Sequence, residues 1–168
     1  MNLAPMLPLR RLSLAMAAVL LSANAGAAAE WDHYINDRFG FSIDIPSGFV
    51  AQGESFNGDG NRFTTPTAEL RAFGGNIFVG EQSFETEVGY AIEAATGDGW
   101  TMTYKAVTPR NANLSARKGA RVLYERLVAI CGGQQFIGFT LDYSVADLVP
   151  FKPVIDRLLA SLRPPASC

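Results

Sequence analysis

The clearest pattern along the chain is an alternation of apolar and polar side chains that predicts β-strands. Phe39, Phe41, Ile43 and Ile45 alternate with smaller or polar residues up to Pro46, as in a half-buried strand. The same criteria predict a loop over residues 47–61, which are rich in Gly, Asn and Asp. Further strands are predicted at residues 31–35, 62–65, 69–73, 100–107, 111–117, 122–131 and 135–143, with a mid-sheet hairpin where Gly132 and Gly133 join the last two.

Two segments have helical spacing instead. The first places apolar residues at 84, 88, 91, 92 and 95, with Ser83 available as N-cap and Gly97 just beyond the end. The second carries an apolar stripe from Leu148 to Leu162 and is stopped by two prolines at 164–165. Strands and helices in this order predict one α+β domain with mostly antiparallel pairing.

The N-terminal segment has the features of a secretory signal peptide. Arg10 and Arg11 precede an apolar run over residues 12–23 and small residues at 25–29. The run is shorter than the roughly 20 residues of a membrane-spanning helix. We therefore expect a signal peptide over residues 1–29, a mature domain over 30–168 that lacks a stable membrane span, and a periplasmic or secreted location.

Both cysteines, Cys131 and Cys168, lie in the expected mature domain. An oxidising compartment allows two such thiols to persist as a disulfide, which would stabilise the fold by roughly 3–4 kcal/mol through the loop it closes. Two unpaired thiols are the alternative, and a redox-active pair is less favoured because no C-x-x-C motif is present.

Three stretches resemble proteins of the PsbP-like family: residues 38–46 (RFGFSIDIP), residues 57–60 (NGDG) and residues 153–161 (PVIDRLLAS). The resemblance spans most of residues 31–163. It implies an α/β/α sandwich in which a mostly antiparallel sheet is layered between helices. The family includes an extrinsic photosystem II subunit and a Ran-binding protein, so the resemblance implies an accessory or binding role. It implies no settled activity for exported bacterial members, and no functional residue is transferred.

Charge is unevenly distributed along the expected domain. The leader holds two of the 14 basic residues and none of the 16 acidic ones, so the domain has a net charge of −4, which disfavours nucleic-acid binding. Acidic residues dominate residues 81–98, whereas residues 105–126 carry six basic side chains and one acidic one. This segregation predicts a docking face for an envelope or secreted protein, formed by Arg110, Arg117, Lys118 and Arg121. Ordinary solvated surfaces are the alternative.

A second hypothesis is that the chain binds a cation or a small molecule through the loop at residues 57–61. Asn57, Asp59 and Asn61 have the first three ligand spacings of a calcium loop. Arg62 then stands where that loop needs Gly, and Ala68 where it needs Glu. A tight turn is therefore favoured over a metal site.

Catalytic chemistry has little support in the sequence. His33 is the only histidine, and the chain lacks the nucleophile-elbow, zinc-protease, P-loop and dinucleotide-binding motifs. A hydrolase with an unrecognised site is therefore the weakest of three hypotheses. The sequence predicts a non-catalytic interaction module without a cofactor, with the ligand-binding hypothesis second.

Overall fold

The computed structural model describes residues 30–77 and 83–168. The predicted signal peptide lies outside these residues. No helix within them is long and apolar enough to cross a membrane.

The described residues form strands and helices in an α+β order. Five strands precede helix α1, and four strands of eight to ten residues separate it from helix α2. Their bounds are β1 Trp31–Ile35, β2 Ser42–Pro46, β3 Val50–Glu54, β4 Gly60–Thr64, β5 Glu69–Asn76, α1 Phe84–Gly97, β6 Thr101–Thr108, β7 Asn111–Lys118, β8 Arg121–Ile130, β9 Gln135–Ser144 and α2 Leu148–Ser161.

The strands form two antiparallel sheets. Strands β1 and β2 pair with each other, and the remaining seven form a sheet in the order β3-β4-β5-β9-β8-β7-β6. Strands β8 and β9 pair from Arg121 with Ser144 to Ile130 with Gln135. The turn between them uses Gly132 and Gly133 at φ 68° and 87°, a region open to glycine. The predicted mid-sheet hairpin is confirmed.

The two faces of the seven-stranded sheet support separate apolar layers. Leu127 and Phe139 are both buried, but Leu127 pairs with Gly138, so Phe139 points to the opposite face. Phe139 belongs to the layer beneath α2 and the β1–β2 hairpin, and Leu127 to the layer beneath α1. We call these the α2 face and the α1 face. The predicted α+β sandwich is therefore correct.

Both helices begin and end close to their predicted positions. The Ser83 hydroxyl accepts from the Thr86 backbone N–H, and the Thr86 side chain accepts from the Ser83 N–H, which forms a capping box. Helix α2 tolerates Pro150 and Pro153 in its N-terminal half and ends before Pro164.

Two strand predictions need correction. The predicted loop over residues 47–61 contains β3, whose five residues are all exposed and therefore give no apolar alternation. Pairing with β4 creates this strand, across a bulge between Ala51 and Glu54. The strand predicted from Phe39 begins only at Ser42, because the Asn36 side chain accepts from the Phe39 N–H and holds the preceding residues in a turn.

The disulfide between Cys131 and Cys168 is present, with the two Cα atoms 5.3 Å apart. It joins the end of β8 to the last residue of the sequence. Just before this tail, Arg163 forms an antiparallel bridge with Ser42 of β2. The C-terminal segment is thus attached to both sheets.

Candidate functional site

Each helix covers only part of the sheet, which leaves two open areas on opposite faces. Helix α1 packs on side chains of β6, β7 and β8 on the α1 face. Helix α2 and the β1–β2 hairpin pack on β4, β5, β8 and β9 on the α2 face. Strands β6 and β7 are therefore open on the α2 face, and β3 to β5 are open on the α1 face.

The open area on the α2 face carries tyrosine, arginine and asparagine side chains. The strand register places them on one face because directly paired residues of antiparallel strands point the same way. We call this surface the tyrosine–arginine face; it comprises Tyr104, Asn111, Asn113, Arg117, Tyr124 and Arg126.

Hydrogen bonds fix the inner part of the tyrosine–arginine face. The Arg126 guanidinium donates from Nη2 to Asn111 Oδ1 at 2.7 Å and from Nη1 to Asn113 Oδ1 at 3.2 Å. The Tyr124 hydroxyl donates to the same Asn113 oxygen at 3.1 Å, and its ring stacks on Phe139. These contacts hold Arg126 and Tyr124 in one arrangement at the surface of the sheet.

The outer part of the tyrosine–arginine face projects into solvent. Tyr104 on the edge strand β6 is 56% exposed, and Arg117 at the end of β7 is also exposed. Burial lowers the pKa of Arg126 and raises the pKa of Tyr124, where Arg126 opposes the rise. None of the six residues is acidic, so they carry the positive charge of two arginines. Asp156 of the neighbouring helix α2 contributes to the raised pKa of Tyr124 and is itself paired with Lys152.

The structure does not bring the four predicted docking residues together. Arg110 lies in the β6–β7 turn, at the opposite end of β7 from Arg117 and Lys118. Lys118 donates to the Asp98 carbonyl at the end of α1, and Arg121 pairs with Asp142 at 2.9 Å. Only Arg117 lies on the tyrosine–arginine face. Arg126 was part of the same basic segment, but its place on this face depends on the strand register.

A cleft of about 610 Å³ occupies the open area on the α1 face. Its walls come from β3, β4, β5 and β9 and from the loop after β3. Arg62 pairs with Arg71 across β4 and β5, and Arg71 pairs with Thr140 across β5 and β9. Two guanidiniums and a hydroxyl therefore form a row across three strands.

The predicted cation loop lies at the rim of this cleft, but its three predicted ligands do not converge on one point. The Asp59 carboxylate accepts from Arg38 Nη1 at 2.6 Å and from the Asn57 side-chain amide. Asn61 pairs with Ala72, which places it on the α2 face, and its buried Oδ1 has no hydrogen-bond partner among the described residues. The described residues also contain no cluster of three or more His, Cys, Asp or Glu that could hold a metal ion. The cation role stays an untested prediction.

His33 takes part in an ion-pair network that joins the β1–β2 hairpin to helix α2. Its Nδ1 lies 3.1 Å from Asp44 Oδ1, and Arg157 of α2 donates to Asp44 Oδ2 at 3.0 Å. Burial raises the pKa of Asp44, but hydrogen bonds from His33 and Arg157 outweigh it and bring the pKa below its ordinary value. The described residues place no nucleophile in a hydrogen bond with His33, so this geometry resembles a surface ion pair more than a catalytic triad.

Sequence reasoning missed a buried carboxyl beneath α1. Glu125 on β8 is 8% exposed and lies among Ala91, Ala95 and Ala116, with no salt bridge or side-chain hydrogen bond to the other described residues. Burial raises its pKa to about 7. The available signal was one acidic residue in the middle of an apolar strand.

Comparison with solved structures identifies the fold. The solution structure of cyanobacterial PsbP from Synechocystis sp. PCC 6803 matches with a TM-score of 0.62 at 15% identity, covering 86% of this chain and 98% of that one. The Saccharomyces cerevisiae Ran-binding protein Mog1p matches with a TM-score of 0.59 at 5% identity, covering 81% and 96%. A point mutant of Mog1 matches with a TM-score of 0.58 at 5% identity, covering 80% and 95%.

These structural matches confirm the predicted PsbP-like architecture. No family model matches the chain, and no curated protein matches it in sequence. At these identities the likeness concerns the fold and not the surface residues.

Proposed function

We propose that this chain is an exported, non-catalytic interaction module that binds the acidic surface of an envelope or secreted protein through its tyrosine–arginine face. The observation that carries the proposal is an ordered Arg and Tyr pair on an uncovered sheet face whose six named residues include no carboxylate.

The composition of the tyrosine–arginine face suits protein recognition. Tyrosine and arginine are enriched at interface positions that contribute most binding energy, because each combines a large contact area with hydrogen-bond donors. Tyr104 offers an exposed ring, and Arg117 offers an exposed guanidinium at its border. A partner that places carboxylates over this surface would complement both arginines.

The fixed position of Arg126 lowers the cost of binding. An arginine loses side-chain entropy when a partner immobilises it, at about 0.5–1.5 kcal/mol. Asn111 and Asn113 already hold Arg126 in the free protein. Two of its five N–H donors make these bonds, which leaves others for a carboxylate.

The edge of the sheet favours recognition by side chains over strand addition. Strand β6 is the edge strand next to this face, and its register with β7 shifts between Met102 and Tyr104. A bulge of this kind twists an edge and interrupts the row of free backbone groups that a partner strand needs.

Other observations agree with an interaction role outside the cytoplasm. The disulfide is typical of an oxidising compartment. A protein of the same fold, Mog1p, is named for binding Ran, which supports interaction by analogy of fold alone.

Site-specific photo-crosslinking tests the proposal. A benzophenone amino acid at Tyr104 is compared with the same group at Tyr90 on α1, which is 49% exposed and lies on the other side of the sheet. We expect the benzophenone at position 104 to give a discrete adduct with an acidic protein in envelope extract. High salt should reduce the yield of this adduct, because exposed charge pairs are screened by ions. Equal adducts at both positions would contradict the proposal.

Charge reversal provides the matched control. We expect Arg117→Glu to reduce the Tyr104 adduct by up to about fivefold, on the scale of one exposed charge pair. Lys105→Glu reverses an exposed charge on the opposite face of strand β6 and should leave the adduct unchanged. An unchanged adduct in Arg117→Glu would argue against this face as the docking surface.

A further inference from the structure

The cleft on the α1 face contains a group of hydrogen-bond donors that the docking role does not use. Its volume of about 610 Å³ lies within the range of small-molecule sites. Gln52 and Ser55 line one side, and Phe73 contributes a half-buried aromatic surface. The polar row of Arg62, Arg71 and Thr140 crosses the cleft.

Two like charges face each other in this row at an energetic cost. Arg62 and Arg71 are directly paired on neighbouring strands, and like charges in such positions destabilise a sheet. Glu69 is the one carboxylate that approaches both guanidiniums in the described residues. Both side chains are more than half exposed, at 52% and 59%, so water screens part of this repulsion and leaves the guanidiniums accessible to a ligand.

Glu69 accepts a hydrogen bond from only one of the two arginines. Arg71 donates from Nε to Glu69 Oε1 at 2.6 Å. Arg62 Nη1 lies 3.8 Å from Glu69 Oε2, which is too far for a hydrogen bond. Within the described residues Arg62 therefore has no hydrogen-bond partner, and its guanidinium presents two parallel N–H donors that match a carboxylate.

Thr140 and Phe73 add the remaining elements of a binding site. The Thr140 hydroxyl makes no hydrogen bond within the described residues and stands next to Arg71 in the row. Neighbouring strands are about 4.8 Å apart, so the backbones at Arg62 and Thr140, two strands apart, are separated by about 10 Å, a gap that the long Arg62 side chain has to cross for one carboxylate to reach both. Phe73 offers an apolar surface for the rest of that molecule. At the rim, Asp59 is already paired with Arg38 and does not neutralise Arg62.

We propose that this cleft binds a small organic carboxylate, with the carboxylate group on Arg62 and Thr140 and the apolar part against Phe73. One available guanidinium and a hydroxyl match a single carboxylate, and the aromatic wall favours an organic anion over an inorganic one. The site lies on the face opposite the tyrosine–arginine face, so it stands independently of the docking role. The proposed ligand of this cleft is an anion, whereas the sequence predicted a cation at the loop on its rim.

Calorimetric titration of the purified protein with sodium benzoate tests the site, with benzamide as the uncharged isostere. We expect saturable benzoate binding with a dissociation constant on the order of 1 mM. Benzamide should bind at least about tenfold more weakly, because it lacks the charge that strengthens the hydrogen bonds from Arg62. Equal affinity for the two compounds, or no saturation with benzoate, would overturn the proposal. Stronger competition by inorganic phosphate than by acetate would assign the cleft to phosphates and also overturn it.

Variants locate the binding to this cleft. Arg62→Gln should weaken benzoate binding about tenfold, and Thr140→Val, which keeps the shape of the side chain, about threefold. Arg110→Gln removes an exposed arginine far from the cleft and should leave the affinity unchanged. Far-UV circular dichroism of each variant checks the fold. Wild-type affinity in folded Arg62→Gln would refute the assignment.

Discussion

The two helices cover the same sheet with layers of very different quality. Beneath α2, Leu158 is fully buried against a large and mainly apolar layer, and Arg157 joins the helix to Asp44 and to the Trp31 ring at 4.5 Å. Beneath α1, Val88 is buried, but the next turn of the helix lies over small side chains and the carboxyl of Glu125. The α2 layer is the larger apolar layer and should supply more of the stability, although it contains Asn61 Oδ1, which has no hydrogen-bond partner among the described residues. The smaller α1 layer contains a buried carboxyl instead.

Core truncation in the two layers is the strongest test of this difference. We expect Leu158→Ala to lower the free energy of unfolding by about 4 kcal/mol, through lost burial and the cavity left behind. Val88→Ala removes less volume from the thinner layer and should cost about 2 kcal/mol. Urea denaturation measures both. An equal or larger loss in Val88→Ala would contradict the ranking of the layers.

Removal of the disulfide should destabilise the protein nearly as much. Cys131 and Cys168 close a loop with a sequence separation of 37 residues. The chain-entropy model then predicts a loss of about 4 kcal/mol for the double change Cys131→Ser and Cys168→Ser. Urea denaturation with and without reductant measures it, and the reductant should affect the wild type alone. A loss below about 1 kcal/mol would show that attachment of the C-terminal tail contributes little to the free energy of unfolding.

Glu125 should give the α1 layer an unusual pH dependence. Its pKa is raised from the ordinary value of 4.5 to about 7, so the folded state holds the proton more tightly than the unfolded state. The stabilising effect of this proton is complete below about pH 4.5 and is lost as pH rises through 7. The free energy of unfolding should fall by about 3 kcal/mol over this range.

Denaturant unfolding at pH 5 and pH 7.5 tests this sign. Glu125→Gln should remove the part of the decrease in unfolding free energy between pH 5 and pH 7.5 that this carboxyl causes. The variant should therefore be more stable than the wild type at pH 7.5. Glu93→Gln, an exposed carboxyl on the same side of the sheet, should keep the wild-type slope. If Glu125→Gln keeps the wild-type dependence of the unfolding free energy on pH, this carboxyl is not its cause.

The smallest expected effect concerns the start of α1. Ser83→Ala removes the acceptor for the Thr86 N–H and one half of the capping box. We expect a loss of about 1 kcal/mol, with faster hydrogen exchange in the first turn of α1 and none in α2. Exchange followed by mass spectrometry measures this, and uniform acceleration in both helices would show that the layers unfold together.

Local patterns predicted most of the architecture. Both helices have strong apolar periodicity and clear stop signals, and the hairpin from β8 to β9 has two glycines between apolar strands. Strand β3 could not be found in this way, since its five residues are exposed and only its pairing with β4 makes it a strand. The prediction of a loop there was therefore a consequence of using local information alone.

The candidate sites were predicted less well than the fold. The basic segment from 105 to 126 was found, but Arg110 and Arg117 occupy opposite ends of a strand in the structure. Arg62 and Arg71 meet because β4 pairs with β5, and Thr140 joins them through the pairing with β9, which comes much later in the sequence.

The sequence by itself determined both helices, every strand except β3, the order of these elements, the cysteine pair and the likeness to PsbP-like proteins. These depend on local periodicity, caps and turns, which neighbouring residues specify. Only the tertiary structure decided which strands are neighbours, which half of each face stays open, and that Glu125 is buried without a partner in the described residues. Strand register is a non-local property, because a shift of one residue would exchange the two faces of the sheet.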